Sequence, residues 1–218
     1  MAFGLEIINN HGTTLIDDTY SNLAVRHQGT LAAGAGSRTV SVPGLSQPVP
    51  AVRSTAYAVA LGRDGSTGTI WSAGGAQVHW YVFDVPTAGG NDYGLQVFNP
   101  AGQLTFDSSR KYARVRALQS GIGSQTYDSG RQYAVAALSP ARRRQVNTWP
   151  DPVDPFLVHW ETFDQQIAAR VNGATVQTEW QTVIHATSLE PMDPAFAPQP
   201  WGDSASNAQF AIIDVTGY

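Results

Sequence analysis

No cysteine occurs among the 218 residues of this chain. The absence excludes disulfide bonds, thiolate metal ligands and cysteine nucleophiles, so packing alone must stabilise the fold. Charged residues are scarce as well, at 14% of the sequence, against roughly 25% in an average soluble domain. A surface with so few charges suggests that partner proteins cover much of it.

Two further absences bear on partners and location. The formal net charge is -4, so no basic field attracts nucleic acid. No apolar run approaches the ~18 residues that a membrane-spanning helix requires. We therefore expect a protein synthesised in the cytoplasm, with no nucleic-acid partner and no membrane insertion.

Patterns that carry catalysis or bind metals are also missing. The five histidines are scattered, without an HExxH motif or a pair at metal-ligand spacing. Residues 202–204, Gly-Asp-Ser, are similar to an esterase nucleophile block, but no histidine follows them. Asp151, Asp154 and Glu161 show no spacing that singles out a glycosidase pair. The sequence predicts neither an enzyme nor a cofactor.

Turn residues are abundant, with 21 glycines and 13 prolines, and a repeated pattern stands between them. Residues 93–116, YGLQVFNPAGQLTFDSSRKYARVR, align without a gap on residues 3–26, FGLEIINNHGTTLIDDTYSNLAVR. The identical pairs are Gly4/Gly94, Leu5/Leu95, Asn9/Asn99, Gly12/Gly102, Asp17/Asp107, Val25/Val115 and Arg26/Arg116. Seven identities in 24 positions exceed the roughly one or two expected from average residue usage.

Three further blocks recur in the same order along the chain. Residues 31–39 recur at 118–126, residues 57–60 at 133–136, and residues 78–84 at 158–164. Colinear repetition over such distances predicts an internal duplication. We expect an all-β fold of two tandem β-sandwich domains, residues 1–92 and 93–218, joined by a linker at 89–92, the second domain carrying a C-terminal extension.

Local signals give the expected turns and faces. Residues 99–102, Asn-Pro-Ala-Gly, predict a type I hairpin turn. Residues 34–37 and 121–124 predict hairpin turns rather than phosphate loops, because no amphipathic helix follows them. Alternation along residues 78–84 predicts one core face and one face that meets solvent or a partner. Trp80 and the matching Trp160 are predicted to lie in the core.

The extension after residue 164 has its own signals. Residues 165–187 are rich in strand formers and predict two strands that turn at Asn172-Gly173. Residues 190–202 hold four prolines and predict an extended arm. We expect this arm to lie against a neighbouring chain, with an arm folded back over its own domain as the alternative. Residues 209–215 predict a closing strand.

Two kinds of residue are candidates for binding a ligand or partner. They are Arg142, Arg143 and Arg144 of the only charge run, and the aromatic residues Trp71, Trp149, Phe196 and Trp201. The arginines form either a solvated hairpin tip or an anion patch for a phosphorylated glycan or an acidic partner. The tryptophans lie in Gly- or Pro-rich surroundings, where they either pack over a sandwich end or contact sugars and proteins. Phe196 and Trp201 are the expected apolar anchors of the Pro-rich arm.

The repeated pattern resembles a family of small tail proteins of tailed bacteriophages. Copies in that family open with a GLQVFN-type strand, a turn ending in Gly, a GQLxFDSS-type strand and an RV segment, as residues 94–116 do. The likeness extends to the Val-Pro-Gly of residues 42–44 and the Tyr-Ala-Val strand, and it fades after Asp164. The N-terminal copy lacks the Phe-Asn and Asp-Ser-Ser details.

The resemblance implies a place in a virion tail, in the tail tip, baseplate or fibre, and carries no catalytic residues. We therefore expect a structural protein that forms a homo-oligomer or assembles onto other tail proteins, with a part in recognising a bacterial receptor or glycan. The alternatives are a carbohydrate-binding module that acts alone and a glycan depolymerase.

Overall fold

The computed structural model describes residues 7–8, 14–16, 22–87, 94–191, 197–203 and 207–218. All strand pairs within them are antiparallel, and no α-helix occurs there. The all-β prediction is therefore confirmed. These segments also contain no helix long and apolar enough to cross a bilayer. The predicted linker at 89–92 and the predicted anchor Phe196 lie outside the described residues.

The strands follow one another along the chain with short connections. They are β1 (Ile7–Ile8), β2 (Thr14–Ile16), β3 (Ala24–Leu31), β4 (Ala35–Ser41), β5 (Val49–Arg53), β6 (Ala58–Asp64), β7 (Thr67–Ala73), β8 (Val78–Asp84), β9 (Gln96–Phe98), β10 (Leu104–Asp107), β11 (Arg114–Ser120), β12 (Gly123–Thr126), β13 (Tyr133–Ser139), β14 (Arg142–Pro150), β15 (Leu157–Asn172), β16 (Thr175–Pro191), β17 (Trp201–Gly202) and β18 (Gln209–Asp214).

Two large sheets and two small hairpins make up the fold. The six-stranded sheet has the order β11-β18-β13-β5-β8-β3. The eight-stranded sheet has the order β12-β16-β15-β6-β7-β4, with β14 beside β15 and β17 beside β14. The hairpins are β1–β2 and β9–β10. Both large sheets therefore contain strands from each half of the chain.

Strands of the two halves occupy matching places in these sheets. In the six-stranded sheet β8 lies between β3 and β5, as β18 lies between β11 and β13. In the eight-stranded sheet β7 lies between β4 and β6, as β16 lies between β12 and β15. The register of β3 on β8 shifts at Arg26, and the register of β11 on β18 shifts at Arg116. The places match the expected repeat, while the duplication itself stays a prediction.

Two of the aligned sequence blocks do not match in space. Residues 57–60 lead into β6 of the eight-stranded sheet, whereas residues 133–136 lie in β13 of the six-stranded sheet. Residues 78–84 form β8, whose place in the second half is taken by β18 and not by residues 158–164. These two pairings are wrong, because short apolar strands look alike whichever sheet they join.

The two halves are joined edge to edge in both sheets. Val52 pairs with Val135 in the six-stranded sheet, and Ala58 pairs with Ala169 in the eight-stranded sheet. At the far edges of the six-stranded sheet, Ala24 forms a bridge with Tyr112. The flanking Val25 N–H donates to the Lys111 carbonyl at 2.8 Å. The residues just before β11 thus meet the start of β3, which covers edge groups there that would otherwise be open to another chain.

Apolar side chains fill both faces of the six-stranded sheet. One cluster per half packs between the two sheets, with Val78 and Val82 in the first half and Phe210 and Ile212 in the second. A further cluster on the opposite face contains side chains of both halves, including Phe83. Both faces of β8 are therefore buried, which corrects the expectation that one of them meets solvent or a partner.

The two tryptophans predicted for the core are only partly buried. Trp80 packs against the apolar cluster of the first half. Trp160 lies on β15 in a part of the sheet that extends beyond β6, and it belongs to none of the apolar clusters of the described residues. The core prediction therefore fits Trp80 better than Trp160.

Several predicted turns are confirmed by their hydrogen bonds and dihedrals. Gly102 N–H donates to the Asn99 carbonyl at 2.9 Å between β9 and β10, and Gly102 has a φ of 76°. Gly173 has a φ of 59° in the turn from β15 to β16, as Asn172-Gly173 predicts.

Two other predicted turns are wrong. The segments at residues 34–37 and 121–124 are not hairpin turns, because each carries the chain from the six-stranded to the eight-stranded sheet.

Buried carboxylates stand at the ends of the two matching central strands, Asp84 on β8 and Asp214 on β18. Asp84 accepts hydrogen bonds from the backbone N–H groups of Ser46 at 2.6 Å, Gln47 at 2.8 Å and Val85 at 2.8 Å. Burial alone would raise the pKa of the Asp84 carboxyl, but these donors outweigh it and lower the pKa below the ordinary value. Asp84 thus fixes the loop after β4 to the end of β8.

Asp84→Ala is expected to lower the free energy of unfolding by about 2 to 3 kcal/mol, because it leaves buried backbone donors without an acceptor. The exposed Asp64 at the end of β6 provides the control, and Asp64→Ala is expected to change stability by less than about 0.5 kcal/mol. Urea unfolding at neutral pH measures both variants. Equal effects of the two substitutions would contradict the role given to Asp84.

The contribution of the Asp84 carboxylate should also depend on pH. Its pKa is lower in the folded than in the unfolded chain, so its stabilisation is complete above the ordinary aspartate pKa of about 3.9. It is lost as the pH falls through the folded-state pKa. The stability difference between the wild-type chain and Asp84→Ala should therefore shrink in urea titrations below that pH.

Candidate functional site

A three-stranded extension of the eight-stranded sheet stands out from the rest of the fold. From here on we use the name arm for this extension, which consists of β14, the loop of residues 151–156, residues 157–166 of β15 and residues 181–191 of β16. Arg142 to Pro150 pair in continuous register with Gln166 to Val158, and β16 pairs along the other side of β15. About nine strand residues correspond to a length of roughly 30 Å. The Asn172-Gly173 turn joins the two long strands β15 and β16, and the ends of these strands that lie away from the turn belong to the arm.

The arm exposes several large apolar side chains. Val153 and Phe156, in the loop between β14 and β15, are 90% and 78% exposed. Ile184 and Leu189 on β16 are also exposed. Exposed apolar side chains that are grouped on one element are candidates for contact with a partner.

Near the tip of the arm a histidine is held between a tryptophan and an aspartate. The rings of Trp149 and His159 stack at 5.4 Å with an interplanar angle of 9°. His159 Nε2 lies 2.8 Å from Asp151 Oδ2. The backbone N–H groups of Asp154 and Val153 donate to the Asp151 carboxylate and lower its pKa. These contacts order the exposed Trp149 ring, which is one of the predicted binding residues.

A second histidine on the same face of the arm is held in the same way. The rings of Phe163 and His185 stack at 4.7 Å with an interplanar angle of 3°. His185 Nε2 lies 2.9 Å from Glu161 Oε1. The arm therefore keeps its side chains in place through cross-strand pairs rather than through a buried core.

The end of the Pro-rich segment folds back onto the arm. Trp201 and Gly202 of β17 pair with Arg144 and Arg143 of β14. A Cβ atom at Gly202 would lie 2.4 Å from the Arg143 Cβ, so only glycine allows this approach. Residues 201–202 thus fold back over their own domain, as the alternative expectation has it. Contact of the Pro-rich segment with a neighbouring chain stays a prediction.

Residues Arg142 to Arg144 start a strand and do not form a hairpin tip. Arg144 donates to both oxygens of Asp164, at 2.5 and 2.7 Å, and this hydrogen bonding lowers the pKa of the Asp164 carboxyl. The Arg144 guanidinium also lies 6.0 Å from the centroid of the Trp201 ring. The pair connects the start of β14 to the middle of β15 and supports one face of the Trp201 ring.

The other two arginines have different surroundings, because side chains alternate along a strand. Arg143 points to the opposite face, where it donates to Gln165 at 2.6 Å and covers the Trp180 ring at 4.4 Å. Arg142 Nη2 donates to the Leu61 carbonyl at 3.1 Å. Within the described residues Arg142 forms no ion pair with a carboxylate.

A groove lies where the arm leaves the body, and we call it the arm-root groove. It has a volume of about 220 Å³ and is lined by Leu61, Arg142, Asp164, Gln165, Gln166, Val183, Ile184 and Trp201. Gln166 is 2% exposed, and its Nε2 has no hydrogen-bond partner in the described part of the chain. The groove thus combines an indole ring, a guanidinium, a carboxylate and an unpaired buried amide.

The remaining predicted residues lie elsewhere. Trp71 is on β7, 7% exposed, and packs with Val59 and Ala168 in an apolar cluster. Its ring is therefore not available to a ligand. The sequence does not reveal this, because Gly-rich surroundings occur around buried and exposed tryptophans alike. Trp149 lies five residues beyond Arg144 on the same strand, a distance of roughly 17 Å, and does not line the groove.

Sequence reasoning missed Asp164 and Gln166 as groove residues. The structure places them opposite Arg144 and Arg142 in the register of β14 and β15. Only the register of β14 on β15 shows that these residues lie beside the arginines, and the sequence alone does not reveal which strands pair. Among the described residues no group of three or more histidines and acids is placed to hold a metal ion.

Trp71→Ala is expected to lower the free energy of unfolding by about 3 to 5 kcal/mol, because it leaves a cavity in a packed cluster. Trp201→Ala should cost less than about 1 kcal/mol, since 49% of the Trp201 side chain is exposed. Urea unfolding followed by circular dichroism measures both. A larger loss for Trp201 than for Trp71 would reverse the assignment of core and surface.

Comparison of the chain with protein-family models, with curated proteins and with solved structures finds no match.

Proposed function

We propose that this chain is a structural protein of a bacteriophage tail and that the arm is the surface through which it docks onto its neighbours in the particle. The observation that carries the proposal is the arm itself. It extends the eight-stranded sheet, exposes apolar side chains and gains order from cross-strand pairs. The resemblance of residues 94–116 to phage tail proteins indicates that the particle in which the arm docks is a phage tail.

Unpaired backbone groups on the arm support docking by strand addition. Residues 145–150 of β14 pair with β15 on one side, and β17 covers the other side only at Arg143 and Arg144. Residues 181–190 of β16 likewise pair with β15 alone among the described strands. Rows of free N–H and C=O groups on an edge are a template for a strand from another chain.

The side chains of the arm fit a protein partner. Phe156 and Ile184 offer apolar area, and apolar area removed from water drives association. Trp149 adds an ordered aromatic ring of the kind that anchors protein interfaces. Stacked histidines and paired carboxylates leave few unpaired charges to desolvate on docking. The tail tip, the baseplate and a fibre are all places where such a surface serves assembly.

A stand-alone carbohydrate-binding module is the second candidate. The observation in its favour is the arm-root groove with its half-exposed Trp201. A groove of this size suits one sugar, whereas the arm requires a larger partner. Assembly through the arm therefore remains the principal proposal.

The double variant Ile184→Lys, Leu189→Lys tests the arm. Both side chains are exposed, so the fold should be unchanged, while two lysines on an edge strand oppose pairing with another chain. The variant is supplied to a phage that lacks its own copy, and mass spectrometry of purified virions measures how much is incorporated. We expect incorporation to fall at least tenfold, because two desolvated charges cost more than about 1.4 kcal/mol.

Val115→Lys, Leu118→Lys on β11 is the matched control, since these two side chains are also exposed but lie outside the arm. The control should be incorporated like the wild-type chain. Normal incorporation of the arm variant would rule out the arm as the docking surface. Absence of the wild-type chain from virions would overturn the assignment to the tail.

A further inference from the structure

The arm-root groove has the features of a carbohydrate site, beginning with its aromatic ring. Trp201 is 49% exposed, and its strand is fixed to β14 by the pairing of Trp201 and Gly202. Arg144 lies against the ring at 6.0 Å from its centroid. An ordered indole with an open surface stacks on the apolar C–H face of a pyranose ring with little loss of side-chain freedom.

The groove also holds a hydrogen-bond donor that lacks an acceptor. Gln166 is 2% exposed and lines the groove, and its Nε2 is buried without a partner among the described residues. Buried polar groups in folded proteins are almost always paired, and an unpaired one calls for an explanation. A ligand hydroxyl or carboxylate in the groove would supply the missing acceptor.

An acceptor for sugar hydroxyls is present beside this donor. Asp164 is oriented by its two hydrogen bonds from Arg144, which leave further lone pairs on both carboxylate oxygens. The pair also shows that Arg144 is already neutralised. The groove therefore differs from a cluster of unpaired cations, which would favour inorganic phosphate.

Arg142 is the cation that remains for the ligand. One of its guanidinium nitrogens donates to the Leu61 carbonyl at 3.1 Å, and within the described residues no carboxylate forms an ion pair with it. The other N–H groups of the fork suit a carboxylate, which accepts two parallel hydrogen bonds from arginine.

The size of the groove suits a single sugar ring. Its volume of about 220 Å³ is below the roughly 300–1,000 Å³ typical of pockets for drug-sized ligands. We infer that the arm-root groove binds a pyranose sugar that carries a carboxylate, with the ring on Trp201, hydroxyls at Asp164 and Gln166, and the carboxylate at Arg142. This inference goes beyond the assembly function and does not depend on it.

Calorimetric titration of the full-length chain with methyl glycosides tests the inference. The acidic probes are the methyl glycosides of glucuronic, galacturonic and N-acetylneuraminic acid, and methyl glucoside is the neutral match. At least one acidic glycoside should bind at millimolar concentration, about tenfold more tightly than the neutral one, the size of one hydrogen bond between charged groups. Equal binding of acidic and neutral sugars, or binding of none, overturns the inference.

Variants locate the site and separate it from a structural role. Trp201→Ala should abolish binding, whereas Trp149→Ala, at 43% exposure a matched tryptophan outside the groove, should leave it unchanged. Arg142→Gln should remove the preference for the acidic glycoside. Gln166→Leu should weaken binding while the urea midpoint stays the same or rises, because an unpaired buried amide is replaced by an apolar group of similar size.

The variants also define the outcomes that contradict the site. Retained binding in Trp201→Ala would place the sugar elsewhere on the chain. A lower urea midpoint in Gln166→Leu with unchanged binding would show that the amide serves the fold alone. Because binding is measured on the isolated chain, failure here leaves the tail assignment standing, and failure of virion incorporation leaves the groove standing.

Discussion

The need to pair backbone hydrogen-bonding groups at strand edges determines most of this structure. In the six-stranded sheet a bridge joins Ala24 of β3 to Tyr112 just before β11, and in both sheets the halves of the chain join edge to edge. Joined edges offer few sites to another chain. In the eight-stranded sheet, edges stay open among the described strands, and along β14 and β16 of the arm they lie beside exposed apolar side chains. That contrast is the physical basis for giving the arm the docking function.

Local chemistry made part of the fold predictable from the sequence. The turns at Asn99 to Gly102 and at Asn172-Gly173 were predicted because glycine with positive φ marks a turn within a few residues. The sheet that each strand joins depends on partners far away in sequence. For that reason the sequence matches residues 57–60 with 133–136 although they lie in different sheets, and it predicts a hairpin turn at residues 34–37, where the chain passes from one sheet to the other.

The same division between local and distant information applies to the candidate site. The arginine run and Trp201 were singled out because charge and aromatic character are visible in the sequence. Asp164 and Gln166 were not, because only the register of β14 on β15 brings them opposite Arg144 and Arg142. The Gly-rich surroundings of Trp71 leave packing and ligand contact open, and only the partners of its strand show that it is buried in an apolar cluster. At the arm-root groove, the Arg144–Asp164 pair joins β14 to β15 and orients the proposed sugar contacts.

Hydrogen–deuterium exchange on the free chain and on the chain in purified tails tests the central claim, that the arm docks through its open edges. Amides of residues 145–150 and 181–190 that lack a partner strand should exchange rapidly in the free chain and become protected in the particle. Amides of β8 and β18, paired on both sides, should be slow in both states. Unchanged exchange along both arm edges, with protection gained elsewhere on the chain, would contradict the account.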